Sequence, residues 1–228
     1  MVRAVILAAA DSEPVRRFVT AHGMRLGAGR FVAGETADEF LEVARRVNAD
    51  GFAVAAGILG EGTKSAADAR DAAKQYVSLL QRFSSDGIDA NVALKVTHLG
   101  LDLDPALALS NVRAVLEQAT ATGNTMRLDM EQSAYVDATL SIYRAMRAEG
   151  HDNIGFVLQA YLFRSMDDIE SLLPLGTNVR IVKGAYLEPP SAAFAAKAEV
   201  DRNYRRLVER SLLEATVSKK SAERCSCL

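Results

Sequence analysis

Cysteine and histidine are scarce in this chain of 228 residues. The two cysteines, Cys225 and Cys227, lie within the last four residues, which excludes a disulfide framework and fits a reducing cytoplasm. The three histidines, His22, His98 and His151, share no metal-ligand spacing with each other or with cysteine, so no metal site is expected. An excess of charge is also missing. A net charge of −2 and a pI near 6.0 leave no basic footprint for nucleic acid. No apolar run approaches the ~18 residues of a spanning helix. The run Ala4 to Ala10 is at the short limit of a signal-peptide core and reads better as a buried segment. The terminal CSCL lacks the aliphatic pair of a prenylation box. No serine has the G-x-S-x-G setting of a hydrolase. Gly27-Ala-Gly29 follows a helical pattern and lacks the third glycine of a dinucleotide fingerprint.

What is present is a unit that recurs five times: an amphipathic helix, a glycine, a short β-rich run, and a polar residue where the run ends. Thr36-Ala-Asp-Glu39 is a capping box, after which Phe40, Ala44 and Val47 share one helical face. Gly51 closes that helix, and the same punctuation recurs at Gly87, Gly123, Gly150 and Gly176. A residue of positive φ is common just after a helix. The strands predicted from the runs are 52–56, 92–97, 126–130, 154–160 and 179–183. Their interiors are mostly apolar, as expected when both faces are covered. Asp104 as N-cap and Pro105 at the first helical position open a helix that runs through Thr122.

Alternating strand and helix imply parallel strands, in either an open doubly wound sheet or a closed barrel. Lys95, Asp129, Gln159 and Lys183 stand at the ends of four different strands, which is where (β/α)8 barrels collect their active sites. The expected fold is therefore α/β, of the (β/α)8 TIM-barrel family, with about five βα units and the barrel unclosed. Residues 1–50 would be N-terminal helices, 51–215 the five units, and 216–228 an unrelated polar tail. A last helix is predicted over about 197–214.

Each candidate has a plain structural alternative. Lys95 could pair with a substrate carboxylate, form a Schiff base, or be held by a neighbouring acid. Asp129 could orient Lys95, act as a base, or cap the following helix. A buried Gln159 carboxamide needs partners, which a cofactor ring or a neighbouring backbone could supply. Arg180 and Lys183 supply cations beside Gly184 and Ala185, a small-residue turn that lets a ligand approach the backbone.

The segments LGAGRFVAGET, ILGEGTKSAADA, ALKVTHLGLDLD, RLDMEQSAYVDATL, FVLQAYLFRSMDDI and NVRIVKGAYLEPPSAAFAAKAEVDRNY follow one another in an order and spacing that resembles proline dehydrogenase of the short, monofunctional bacterial type. The resemblance runs over about residues 25–213. It implies an FAD-dependent barrel that oxidises L-proline to 1-pyrroline-5-carboxylate and passes electrons to a quinone, the first step of proline breakdown to glutamate. Such a protein would be cytoplasmic, in contact with the inner face of the membrane if its quinone is there. The match implies that Lys95 binds the substrate carboxylate, that Asp129 is an active-site acid, and that Arg180 is the cation near the flavin ring. Met130, Gln159, Lys183, Gly184 and Ala185 would contact FAD. Strand parity alone would have put Arg180 on the surface and Met130 in the core.

The chain also departs from the pattern. Gly57-Ile58 stands where the family usually carries a polar residue before LGE. Three further strands, a threonine-histidine pair and a final helix with an arginine pair are expected from the family and not found, so the resemblance implies a C-terminally truncated member. Arg205 and Arg206 follow the fifth strand and do not take the role of that pair. Two rival readings follow: an inactive remnant that acts only by associating with another chain through open strand edges, and a Schiff-base aldolase using Lys95 or Lys183.

Overall fold

A computed structural model describes residue 12, residues 32–176 and residues 178–225, with side chains as far as residue 213. The expectations for Ala4 to Ala10, His22 and Gly27-Ala-Gly29 lie outside the described residues. The chain groups into two compact units, Met1–Val54 and Ala55–Leu228.

In the first unit, helix α1 (Ala37–Ala49) opens with the predicted capping box: the Thr36 side chain accepts from the Glu39 amide, and the Glu39 carboxylate accepts from the Thr36 amide, each at 3.3 Å. Two otherwise orphaned amides are satisfied this way. Leu41 and Ala44 are buried, while Phe40 and Val47 are only half-buried, so the covered stripe is centred one position from the predicted one.

Strand β1 (Val54–Ala56) begins the sheet. Helix α2 (Ala66–Asp86), β2 (Ala90–Leu94), α3 (Pro105–Ala121), β3 (Met126–Leu128), α4 (Val136–Ala148), β4 (Ile154–Gln159), α5 (Ser165–Leu172), β5 (Asn178–Val182) and α6 (Lys197–Cys225) follow in strict alternation. The five strands lie in sequence order, and β2 to β5 pair in parallel. This is the open, five-stranded part of a barrel-like α/β sheet that the sequence pattern predicted. The Asp104 side chain caps α3 by accepting from the Ala106 amide at 2.9 Å, with Pro105 at its first turn. All five punctuating glycines have positive φ.

The register sorts the side chains into two faces. Leu128, Phe156 and Val179 are level across β3, β4 and β5. The Phe156 ring lies 4.7 Å from that of Tyr143 on α4, so this face is the helix-covered one. Both rings are fully buried, as are Leu80, Leu116 and Leu128. Arg127 is level with Gly155 and Asn178, and Arg180 with Val157, so these side chains belong to the opposite face, to which alternation also assigns Asp129. The expectation of apolar strand interiors holds for β4, buried at all six positions. It fails for β3 and β5, whose second face is polar and half-buried.

The last helix departs from expectation. Instead of ending near residue 214 it continues to Cys225, because the lysines, alanines, glutamate and arginine of this stretch favour helix even without an apolar stripe. Among the described residues no helix is long and apolar enough to cross a membrane, and no group of three His, Cys, Asp or Glu side chains could hold a metal.

Candidate active site

The strand ends bring Lys95, Asp129 and Arg180 together. Asp129 follows β3, and its amide donates to the Leu94 carbonyl at 2.8 Å, extending the ladder past the strand. Arg180, from the middle of β5, donates through Nη2 to Asp129 Oδ1. Burial raises the Asp129 carboxyl above its ordinary value, against the pull of Arg180, Lys95 and Arg127. Asp129 therefore anchors a guanidinium and does not cap a helix: the short 3-10 turn at Ser133–Tyr135 and α4 have no side-chain cap. Parity gave Arg180 a surface position, and its side chain is 39% exposed, though on the polar face it shares with Asp129. Its face is the concave polar one, where its Nε is buried without a partner among the described residues.

Lys95 is held by a neighbouring acid, Glu61, with which it forms an ion pair. Burial opposes the Lys95 charge, but the Glu61 carboxylate and the Tyr186 hydroxyl outweigh it and raise the ammonium above its ordinary value. Tyr186 donates to the same Glu61 oxygen at 3.4 Å. Its own phenol is raised, chiefly by burial.

Gln159 is buried at the end of β4, where its amide group donates to the Glu131 carbonyl at 2.7 Å. Its partner is thus backbone. Met130 is buried, as parity suggested. Lys183 points elsewhere: its ammonium pairs with Asp201 on α6 at 2.5 Å and sits 6.0 Å from the centre of the Tyr204 ring. Gly184 and Ala185 are exposed in the following turn. Gly184 has φ of 113°, and a Cβ there would stand 2.2 Å from the Tyr161 ring, so only glycine permits this approach. Arg205 and Arg206 are exposed on α6.

Sequence reasoning passed over Glu61, Arg127, Glu131, Tyr186 and Glu188. Glu61 and Tyr186 lie inside quoted motifs, but their meeting spans 125 positions and no local pattern announces it. Arg127 donates to Asn178 at 3.0 Å, and its Nε is buried and unpartnered among the described residues. Glu188 accepts from the Ser133 amide at 2.7 Å and from its hydroxyl, and Tyr161 donates to it at 3.4 Å. This carboxylate fastens the loop after β5 to the ends of β3 and β4.

The assembled site holds three cations, two carboxylates and a phenol, with orphaned guanidinium donors on a concave face. It suits a small zwitterion and an acceptor-rich planar group, and it contains no activated nucleophile. The residues present fit a flavin: the free Arg180 Nε is a donor without an acceptor, and the exposed Gly184-Ala185 backbone leaves room for close approach.

Residues 40–225 match the family described as Proline dehydrogenase. The chain is 36% identical over 213 residues to proline dehydrogenase 1 of Bacillus subtilis strain 168, covering 93% of this chain and 70% of the relative. It is 40% identical over 185 residues to proline dehydrogenase of Deinococcus radiodurans, covering 79% and 60%. Among solved structures it is similar to proline utilization A of Bdellovibrio bacteriovorus inactivated by N-propargylglycine, with a TM-score of 0.72 and 27% identity. That match covers 81% of this chain and 24% of the other. The chain thus spans about 60–70% of the short relatives and about a quarter of the long one. The match across most of this chain does not favour an inactive remnant, nor an aldolase inferred from lysine position alone. On these grounds the chain belongs to the proline dehydrogenase family, a family of flavoenzymes.

Proposed function

We propose that this chain carries the proline-oxidising site of an FAD-dependent proline dehydrogenase, converting L-proline to 1-pyrroline-5-carboxylate. The observation that carries the reading is the convergence of Lys95 and Asp129, from the ends of β2 and β3, with Arg180 of β5 on one polar face. FAD, when bound, supplies acceptance of the two electrons released as the ring C–N bond becomes C=N.

The chain's own part is orientation and electrostatics. Lys95, kept charged by Glu61 and Tyr186, binds the substrate carboxylate. Asp129 pairs with the Arg180 guanidinium, whose Nε, without a partner among the described residues, would be a donor for the flavin ring. Met130, Gln159 and Lys183-Gly184-Ala185 are the remaining flavin contacts. For Gln159 this means shaping the wall through the Glu131 backbone. For Lys183 it means leaving Asp201 for the cofactor's anionic part. Electrons leave to a quinone, and the protein works in the cytoplasm, meeting the inner membrane face where that quinone is lipid-borne.

The test is spectroscopic. Purified chain incubated with FAD should acquire flavin absorbance that L-proline bleaches without oxygen and a soluble quinone restores. N-propargylglycine, which inactivates the Bdellovibrio protein, should block the bleaching. Protein that stays colourless, or colour indifferent to proline, refutes the reading.

A further inference from the structure

We propose that Glu131, acting through Thr97, is a positioning residue that holds Glu61 against Lys95, so that the order of the substrate-carboxylate cation is set by a buried relay one layer below it. The functional half of this inference rests on the proline-oxidising reading above.

Glu131 is 1% exposed; its carboxylate is bonded to Thr97, and it meets an assigned flavin contact, Gln159, through its backbone carbonyl. A carboxylate removed from water needs hydrogen bonds to replace hydration. Thr97 provides two: its amide donates to Glu131 Oε1 at 3.2 Å and its hydroxyl to Oε2 at 2.5 Å. Thr97 in turn grips the loop after β1. Its hydroxyl oxygen accepts from the Gly62 amide at 3.3 Å, and its carbonyl accepts from the Thr63 amide and hydroxyl, each at 3.4 Å. On the other side, the Glu131 carbonyl accepts from Gln159, whose own carbonyl accepts from Ser165 at 2.5 Å. The relay therefore runs across four successive strand-to-helix connections, from β4 through β3 and β2 to the loop that carries Glu61.

Both ends of the Lys95–Glu61 pair are tied to this relay. Lys95 is two residues before Thr97, and Glu61 is one residue before Gly62. The pair needs such support, because its side chains are 30% and 51% exposed. Ion pairs this open are weak on their own and must offset the rotamer freedom of two long side chains. Fixing the two backbones at the right separation removes much of that cost. Burial raises the Glu131 carboxyl above its ordinary value, opposed by the two Thr97 bonds and by Lys95.

The experiment compares the full chain with Thr97→Val, which keeps volume but removes the hydroxyl, and Thr97→Ser, which restores it. Reductive methylation of Lys95 is followed by peptide mass spectrometry, with the open Lys74, 76% exposed, as internal reference. Thr97→Val should methylate Lys95 several-fold faster, speed hydrogen exchange at residues 61–63, and raise KM for L-proline by roughly tenfold at nearly unchanged kcat per bound flavin. Thr97→Ser should behave as wild type. An unchanged Lys95 rate in Thr97→Val, or a loss of bound flavin with KM unmoved, makes the pair merely structural and overturns the proposal. Should Thr97→Val not fold, Glu131→Gln carries the same comparison. Wild-type protein that oxidises no proline removes the functional reading, while the methylation rates still decide the relay.

Discussion

Replacing Gly184 by alanine should destabilise the second unit by about 2–6 kcal/mol, from two separable sources. The first is conformational: at φ of 113° a side chain is strained, at a cost of ~1–3 kcal/mol. The second is steric. The new Cβ would stand 2.2, 2.4 and 2.5 Å from three atoms of the Tyr161 ring, and overpacking of this kind costs ~1–3 kcal/mol. The ring cannot swing away freely, because the Tyr161 amide donates to the Lys183 carbonyl at 2.9 Å and its carbonyl accepts from the Phe194 amide at 2.8 Å. Its hydroxyl is also engaged with Glu188. Against a total stability of ~5–15 kcal/mol for a typical domain the loss is large. Equilibrium urea denaturation of Gly184→Ala, Tyr161→Ala and the double variant separates the sources. The double variant should recover the steric part and keep the conformational part, giving a coupling of ~1–3 kcal/mol. A Gly184→Ala protein within ~0.5 kcal/mol of wild type, the range of an ordinary surface change, would refute the reasoning.

Asp201 is pulled down to about 2 by its bonds to Lys183 and Lys197. Its folded value lies below its ordinary 3.8, so its contribution is present above pH 3.8 and lost as pH falls toward 2. Asp201→Asn should flatten that acid limb in denaturation curves taken at low salt, and added salt should erase the difference between the proteins. Arg180→Met removes the largest of the cations that oppose the burial-driven rise of the Asp129 carboxyl. An NMR titration should find that carboxyl higher still, and flavin uptake should fall. Phe156→Ala should cost ~3–5 kcal/mol, because a fully buried ring packed on Tyr143 leaves a cavity. Thr36→Ala should cost ~0.5–2 kcal/mol through loss of the capping box, read as reduced helicity and an earlier melt.

The elements legible in the sequence were those whose causes are local. The capping box at Thr36, the Asp104-Pro105 start of α3 and the five helix-ending glycines depend on residues within four positions of one another. Each appears where expected. Alternation made the strands parallel, and the reactive residues at their ends favoured the barrel, in which strands lie in sequence order. Strand edges were less legible: β1 and β3 are each three residues long, shorter than the runs that predicted them. The end of α6 was misjudged because helix formers can extend a helix without an apolar stripe.

Candidate side chains divide along the same line. Sequence by itself determined that Lys95, Asp129, Gln159 and Lys183 stand at or near strand ends, since each position is counted from its own strand. Only the tertiary structure decided what each faces. Register put Arg180 beside Asp129 across 51 positions, the loop after β5 brought Tyr186 to Glu61 across 125, and Lys183 was drawn off to Asp201. Backbone preference is settled by neighbours in the chain, and so is readable in order. Pairing of charges is settled by neighbours in space, and exists only once the sheet has set its register.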